Sequence, residues 1–386
     1  MVEKIVSNDQ LKVFCNQLKK QPFIAVDTEF MREKTYRAVL CLIQVAALDG
    51  TAACIDPLAP DLDLKPILDL MKNKKIVKVF HSARQDLEIF YDLMGCLPTP
   101  LFDTQVGAMV CGMGESVSYH GIVAHYLGLD LDKSSRVTDW SVRPLSDRQL
   151  NYAIADVTNL TRVYEKMMQE LKEKNRIAWV EDEMKALLNP ALYKVDPNEM
   201  WKRLKPQTTK PKYLAVLRAL CAWREEKAIR LNRPRRHIMR DEVILELAAL
   251  SPTNVEDLER MRSKNVLSPR ADMAKEIIDT VQSALALPPD QMPQMEREKS
   301  LTPAEHSIKE ALRLLLTIVC AQIDVAPKII ASAEDLEKIS CSDKADVPAM
   351  QGWRFDVFGQ KAIDFKNGRL AMYFDPITQK IVFEKR

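Results

Sequence analysis

Glycine is scarce in this chain, with 10 in 386 residues. That argues against an architecture built on glycine-rich phosphate loops, where tight turns and close backbone approach need several glycines. None of the 8 cysteines forms a CxxC pair, so neither a zinc ribbon nor a dithiol redox centre is supported. Most lie inside apolar runs such as Leu40-Cys41-Leu42-Ile43, as buried thiols of a reducing compartment do. No apolar run approaches bilayer-spanning length, and Met1-Val2-Glu3-Lys4-Ile5-Val6 lacks the apolar segment of a signal peptide. A cytoplasmic protein with no membrane partner is expected. The net charge is only +2, so any electrostatic preference must be local. With 47% hydrophobic and 28% charged residues the chain is otherwise ordinary for a globular protein, and its length predicts two or three domains.

One stretch organises the rest. Phe23-Ile24-Ala25-Val26 runs straight into Asp27-Thr28-Glu29-Phe30. A short continuous apolar run predicts a strand buried on both faces. Side chains alternate along a strand, so Asp27 and Glu29 leave the same face. Two carboxylates there repel each other and are costly to desolvate. A divalent cation removes both problems, and hard oxygen ligands suit Mg²⁺ or Mn²⁺. The same pair would also serve as solvated acids at a strand-end turn, and this stretch alone does not choose.

Around it, spacing predicts a helix over 8–19 with Asn8 as its N-cap, and strands at 39–47 and 51–55 joined by the hairpin signal Asp49-Gly50. A helix over 63–72 and a strand at 76–80 follow. Ser82 with Gln85 has the capping-box spacing and would open a helix carrying Asp86 in or just past its first turn. Asp103 reads as another cap. Residues 130–146 read as a loop, in which Trp140 either stacks a base or clamps the loop to the core. Ser146 with Gln149 opens a helix running to Glu173, and Tyr152 and Asp156, at i,i+4 spacing, share one of its faces. Each motif is weak alone. Their order within one domain-length stretch is a strong signal: two acids on the first strand, an acid early in a helix, then tyrosine and acid on a later helix. Two divalent ions about 3.5–4 Å apart, held by such acids, can activate a water and steady the leaving oxygen of a phosphodiester.

On these residues the chain resembles the DEDD exonucleases, in the branch whose third motif carries tyrosine, and within it the ribonuclease D family. The matching text is 23–31, Leu42-Ile43-Gln44-Val45, His81-Ser82-Ala83-Arg84-Gln85-Asp86-Leu87, Phe102-Asp103-Thr104-Gln105, 139–146 and Tyr152-Ala153-Ile154-Ala155-Asp156-Val157. The run 211–245, with Trp223-Arg224-Glu225-Glu226 and Asn232-Arg233-Pro234-Arg235, resembles an HRDC domain. The resemblance is good over about 1–290 and only general over 300–386. It implies an α/β ribonuclease H-like exonuclease domain over 1–190, with a mixed five-stranded sheet flanked by helices. All-α HRDC-type domains would follow, one over 207–287 and a second, diverged one over 300–386 ending in a hairpin. It also implies a 3′→5′ exoribonuclease that releases nucleoside 5′-monophosphates during 3′ maturation of tRNA precursors and other small RNAs. Asp27, Glu29, Asp86 and Asp156 would hold two Mg²⁺ or Mn²⁺ ions. Glu29 would also contact the terminal 3′ hydroxyl, and Tyr152 would orient the attacking water. The implied partner is RNA, especially tRNA precursors with 3′ extensions, bound by a monomer.

Candidate RNA contacts near the acids are Thr28, Met31, Gln44 and His81. A packed, hydrogen-bonded role competes for His81, and a backbone partner competes for the Gln44 amide. Phe30 reads as core. From Lys202 to Arg240 basic residues are opposed only by Glu225 and Glu226. This imbalance predicts phosphate binding, with Arg233, Arg235 and Arg236 as candidates. Two other readings stand beside this one. A DNA exonuclease would share every motif, since none senses the 2′-OH. A non-catalytic RNA-binding protein would have lost an acid, and none is missing.

Overall fold

The computed structural model describes residues 3–131, 138–262, 271–295 and 300–386. Parts of the loop expected over 130–146, of the helical stretch 241–286 and of the linker beyond 287 lie outside the described residues.

The apolar run beginning at Phe23 forms β2 (Phe23–Met31), which lies inside a mixed sheet. It pairs antiparallel with β3 (Val39–Ala46) and parallel with β5 (Val77–Phe80), so Ile24, Ala25 and Val26 are wholly buried. β4 (Ala52–Ile55) returns beside β3, and β6 (Leu101–Asp103) closes the far edge. The sheet has six strands rather than five, because β1 (Lys4–Ile5) pairs parallel with β4. Two residues carry no periodicity to read, and only the pairing makes them a strand.

Helices α1 (Asn8–Leu18), α2 (Lys65–Met71), α3 (Arg84–Met94), α4 (Thr104–Val110), α5 (Tyr119–Leu127), α6 (Asp147–Glu173) and α7 (Ile177–Leu187) accompany the sheet. Two caps differ from expectation. Ser7, not Asn8, caps α1, in a reciprocal box with Gln10, while Asn8 bonds the chain near Asp61 and Asp63. Ser82 does not cap α3, which starts at Arg84 without a side-chain cap. Ser82 instead takes φ 59°, and its N–H and that of Ala83 both donate to Asp103 at 2.9 Å. The predicted box of Ser146 and Gln149 does open α6.

Helix α8 (Pro211–Leu231), the short turn Pro197–Arg203 and helices Asp241–Leu250 and Ala271–Leu285 build a separate core around Trp201, Leu217, Ile244 and Ile277. The C-terminal helices Pro303–Ile323, Ala333–Cys341 and Gln360–Lys366 do not form an independent core. Leu312, Leu315 and Val319 of the first, and Phe358 in the helical turn Phe355–Gly359 just before the last, join the core that contains β2 and α6. Trp179 of α7 stacks on Trp353 (centroids 4.1 Å, planes 6° apart), and Arg176 donates to the carbonyls of Val110, Ile323 and Asp324. The chain ends in the expected hairpin, β7 (Leu370–Asp375) with β8 (Lys380–Lys385). Among the described residues no helix is long and apolar enough to cross a membrane.

Candidate active site

Strand alternation brings Asp27 and Glu29 out on one face of β2, where Asp27 sits opposite Gln44 and Glu29 opposite Leu42 of β3. A register shift follows immediately, between Glu29 and Phe30, and such bulges re-aim side chains. α6 crosses this face and delivers Asp156. Carboxylate oxygens of Asp27, Glu29 and Asp156 all lie within 4.8 Å of one another. Asp86, in the first turn of α3, reaches the same cavity from β5, and the buried Thr28 hydroxyl donates to its carboxylate. The cavity, of about 340 Å³, is lined by all four acids together with Tyr152, Tyr119 and His81.

Crowding of acids in a poorly hydrated place shows in their protonation. Burial, then the charges of Asp27, Asp156 and Asp86, push Glu29 up to about 9. Burial and Asp27 push Asp156 up to about 8, against a hydrogen bond from Tyr152 that lowers it. Burial raises Asp27 to about 6, and Asp86 is raised by burial and by Asp27. Like charges this close cannot all ionise without compensation.

The remaining sequence candidates separate. His81 is the packed alternative: its Nδ1 lies 3.0 Å from the Thr104 hydroxyl, which itself donates to Phe80 carbonyl, and burial lowers its imidazole to about 4. Its ring still borders the cavity. The Thr28 hydroxyl is engaged by Asp86 rather than open to a ligand. Gln44 is wholly buried, and its amide atoms have no hydrogen-bond partner, so neither expected role is seen. Met31 and Phe30 exchange expectations: Met31 packs with Trp140, Leu42 and Ala153, while Phe30 lines the cavity. The register shift between Glu29 and Phe30 turns the two side chains this way. Trp140 clamps its loop and packs 6.3 Å from the Tyr152 ring. Arg233, Arg235 and Arg236 lie away from the acids, at the end of α8. Arg235 is engaged by Glu225, with its Nη2 donating at 2.6 Å, and lies over the Tyr36 ring.

Two contributors, Tyr119 and Arg143, had no role read for them from sequence, and a third, Asp103, was read only as a cap. The Tyr119 hydroxyl donates to the backbone carbonyl of Asp156, pinning α6 where its acid emerges. Asp103, legible as a cap, also ties down the turn before α3 and so sets where Asp86 arrives. Arg143 donates to both Asp56 oxygens (2.8 and 2.7 Å), to Cys41 carbonyl (2.7 Å) and to Trp140 carbonyl (2.7 Å), fastening the 139–146 loop to the sheet. In the sequence it stood only within the 139–146 stretch of the resemblance, as a charge in a loop-like run with no role read for it.

Comparison with known proteins agrees with this geometry. Residues 2–172 match the family model described as 3′-5′ exonuclease, and residues 213–280 match the HRDC domain model. Ribonuclease D of Bartonella henselae is 45% identical over 97% of this chain and 92% of its own, and ribonuclease D of Granulibacter bethesdensis is 42% identical over 98% and 96%. The crystal structure of Escherichia coli RNase D, an exoribonuclease involved in structured RNA processing, superposes with a TM-score of 0.81 at 28% identity, covering 95% of this chain and 99% of that one. Fold and site therefore define a ribonuclease H-like 3′→5′ exonuclease with an attached HRDC domain. The chain belongs to the ribonuclease D family, the exoribonucleases of that class.

Proposed function

We propose that Asp27, Glu29, Asp86 and Asp156 hold two divalent cations, Mg²⁺ or Mn²⁺, and that the enzyme trims 3′ extensions of tRNA precursors and other small RNAs to nucleoside 5′-monophosphates. The observation that carries the reading is the convergence of three carboxylates, from a strand and a distant helix, to within 4.8 Å. Such a set consists of hard oxygen donors without nitrogen or sulfur, as these cations prefer, and it is unfavourable unless its charge is compensated. When bound, the cations supply Lewis-acid activation of a water and neutralise developing charge on the leaving oxygen.

The protein's own groups do the positioning. Tyr152 donates to Asp156 from one turn earlier, and burial with the neighbouring acids raises its phenol, so it stays a hydroxyl able to orient the attacking water. Thr28 holds the Asp86 carboxylate at a set angle, and Tyr119 fixes the α6 backbone at Asp156. Glu29, at the bulge, contacts the terminal 3′ hydroxyl, which is why hydrolysis begins at an end. Exonuclease residues 1–190, an HRDC domain over 207–287 and a diverged helical segment over 300–386, which packs into the exonuclease core, act as a monomer. The test is a tRNA precursor carrying label at its 3′ end, incubated with Mg²⁺, Mn²⁺ or EDTA. Label should appear first as a nucleoside 5′-monophosphate, only with metal, and not with Asp156→Asn. Internal cleavage before end release, or 3′-phosphate products, would overturn it.

A further inference from the structure

Beyond the end of β2 lies a second cavity, of about 560 Å³, into which five arginines converge from separate parts of the chain. They are Arg32 after β2, Arg84 at the start of α3, Arg203 at the end of the Pro197–Arg203 turn, and Arg235 and Arg236 in the short helix Arg235–Ile238 after α8. Two of the five are already engaged. Arg32 is bidentate on Glu88 at 2.9 and 2.6 Å. Arg235 is bidentate on Glu225, whose side chain is 1% exposed, and Glu225 also accepts from Tyr36. The other three, Arg84, Arg203 and Arg236, are exposed, and their guanidiniums make no ion pair or hydrogen bond among the described residues. Of the carboxylates on this lining, Glu88 is bound by Arg32, which leaves Glu33. Three guanidiniums facing one cavity repel one another, and an anion with several oxygens compensates them best.

The cavity adjoins the carboxylates through consecutive residues. Glu29 and Phe30 line the acidic site and Arg32 lines this one; Gln85 and Asp86 line the acidic site and Arg84 and Glu88 line this one. Its volume is that of a small-ligand pocket, which admits a single strand and not a duplex. We propose that this cleft holds backbone phosphates of the single-stranded RNA just upstream of the nucleotide being removed, with Arg84, Arg203 and Arg236 as phosphate ligands and Arg32 and Arg235 as the scaffold. This rests on the exonuclease reading of the carboxylate site. The helical domain is then one wall of the substrate channel, held at a set distance by the Tyr36–Glu225–Arg235 cluster and by Asn232, which accepts from Arg37 N–H at 3.1 Å.

The test uses the full chain and its Arg203→Gln/Arg236→Gln and Arg203→Lys/Arg236→Lys variants, with thermal melts to show that each is folded. In EDTA, binding of a single-stranded 12-mer RNA is followed by fluorescence anisotropy across a salt series. Loss of two phosphate contacts flattens the log–log salt slope by about 1.4 in the glutamine variant, and lysine restores most of it. With metal, kcat/KM for RNAs of two to twelve nucleotides should rise with length in the wild type, and that rise should shrink about tenfold in the glutamine variant. Equal slopes and an equal length dependence in wild type and glutamine variant overturn the proposal. Wild type that binds RNA but hydrolyses none at any length would instead overturn the exonuclease reading, and the salt slopes would still decide the cleft.

Discussion

Loading the acidic site with metal must expel protons, and the number can be worked from the carboxylates. At pH 7 a group at about 9, such as Glu29, is almost wholly protonated, one at about 8, such as Asp156, is roughly nine-tenths protonated, and one at about 6, such as Asp27, roughly one-tenth. Asp86, raised by burial and by Asp27, adds up to one more. Since carboxylates ligate as anions, saturation with Mg²⁺ or Mn²⁺ at pH 7 should release about two to three protons. Apparent affinity should accordingly strengthen by roughly two orders of magnitude between pH 6.5 and 7.5. At pH 9.5 the release from Glu29 and Asp156 should fall to about a quarter of a proton, because both are then ionised beforehand. Calorimetric titration in two buffers of different ionisation enthalpy reads the proton count directly, and Glu29→Gln should lower it by about one at pH 7. A release below about half a proton at pH 7, or a count unchanged in Glu29→Gln, would refute the picture of a desolvated, mutually repelling cluster.

Metal-free protein should lose stability as pH rises from about 4 to about 9. The cluster acids are raised in the fold, so their contribution is complete below the unfolded carboxylate range and is lost as pH climbs through the folded values. Melting temperatures in EDTA should show it, with a shallower fall for Asp156→Asn, and parallel curves would contradict it. Tyr152→Phe keeps the ring packing and should lower kcat by about 10²–10⁴-fold with little change in RNA affinity; an unchanged kcat would make the tyrosine a packing residue. Arg143→Met leaves Asp56, whose side chain is 5% exposed, without its partner, although Leu58 N–H still donates to it. Urea denaturation should register a loss of about 3 kcal/mol, the lower end for a broken buried pair because Arg143 is a quarter exposed, and a loss under about 1 kcal/mol would show the clamp to be dispensable. Glu225→Gln should loosen the junction between the exonuclease and helical domains, seen as faster proteolysis around residues 192–210; an unchanged rate would mean that apolar packing alone holds it.

The four acids of the cavity were legible because the chemistry proposed for them needs particular residue types at local spacings. Asp27 and Glu29 share a strand face by the two-residue repeat, and Tyr152 and Asp156 share a helix face by the four-residue repeat. The strand that carries the first pair was legible from its apolar run, and α6 from its capping box. Local rules ended where partners are distant. Ser82 has the spacing of a cap, yet Asp103, from another strand, bonds its N–H and takes it out of the helix. The basic run 202–240 looked unopposed because its counter-charges come from elsewhere: Arg224 bonds Asp241 at 2.6 Å and Lys227 bonds Glu276 at 2.5 Å. Only the tertiary structure sorted its arginines into those that hold the domains together and those that face open space. Likewise Arg143, Tyr119 and the C-terminal helices owe their places to contacts between segments far apart in the chain. Periodicity and capping chemistry are properties of neighbouring residues and survive in the bare sequence. Hydrogen-bond partners and counter-ions are chosen by proximity in space, which exists only once the chain has folded.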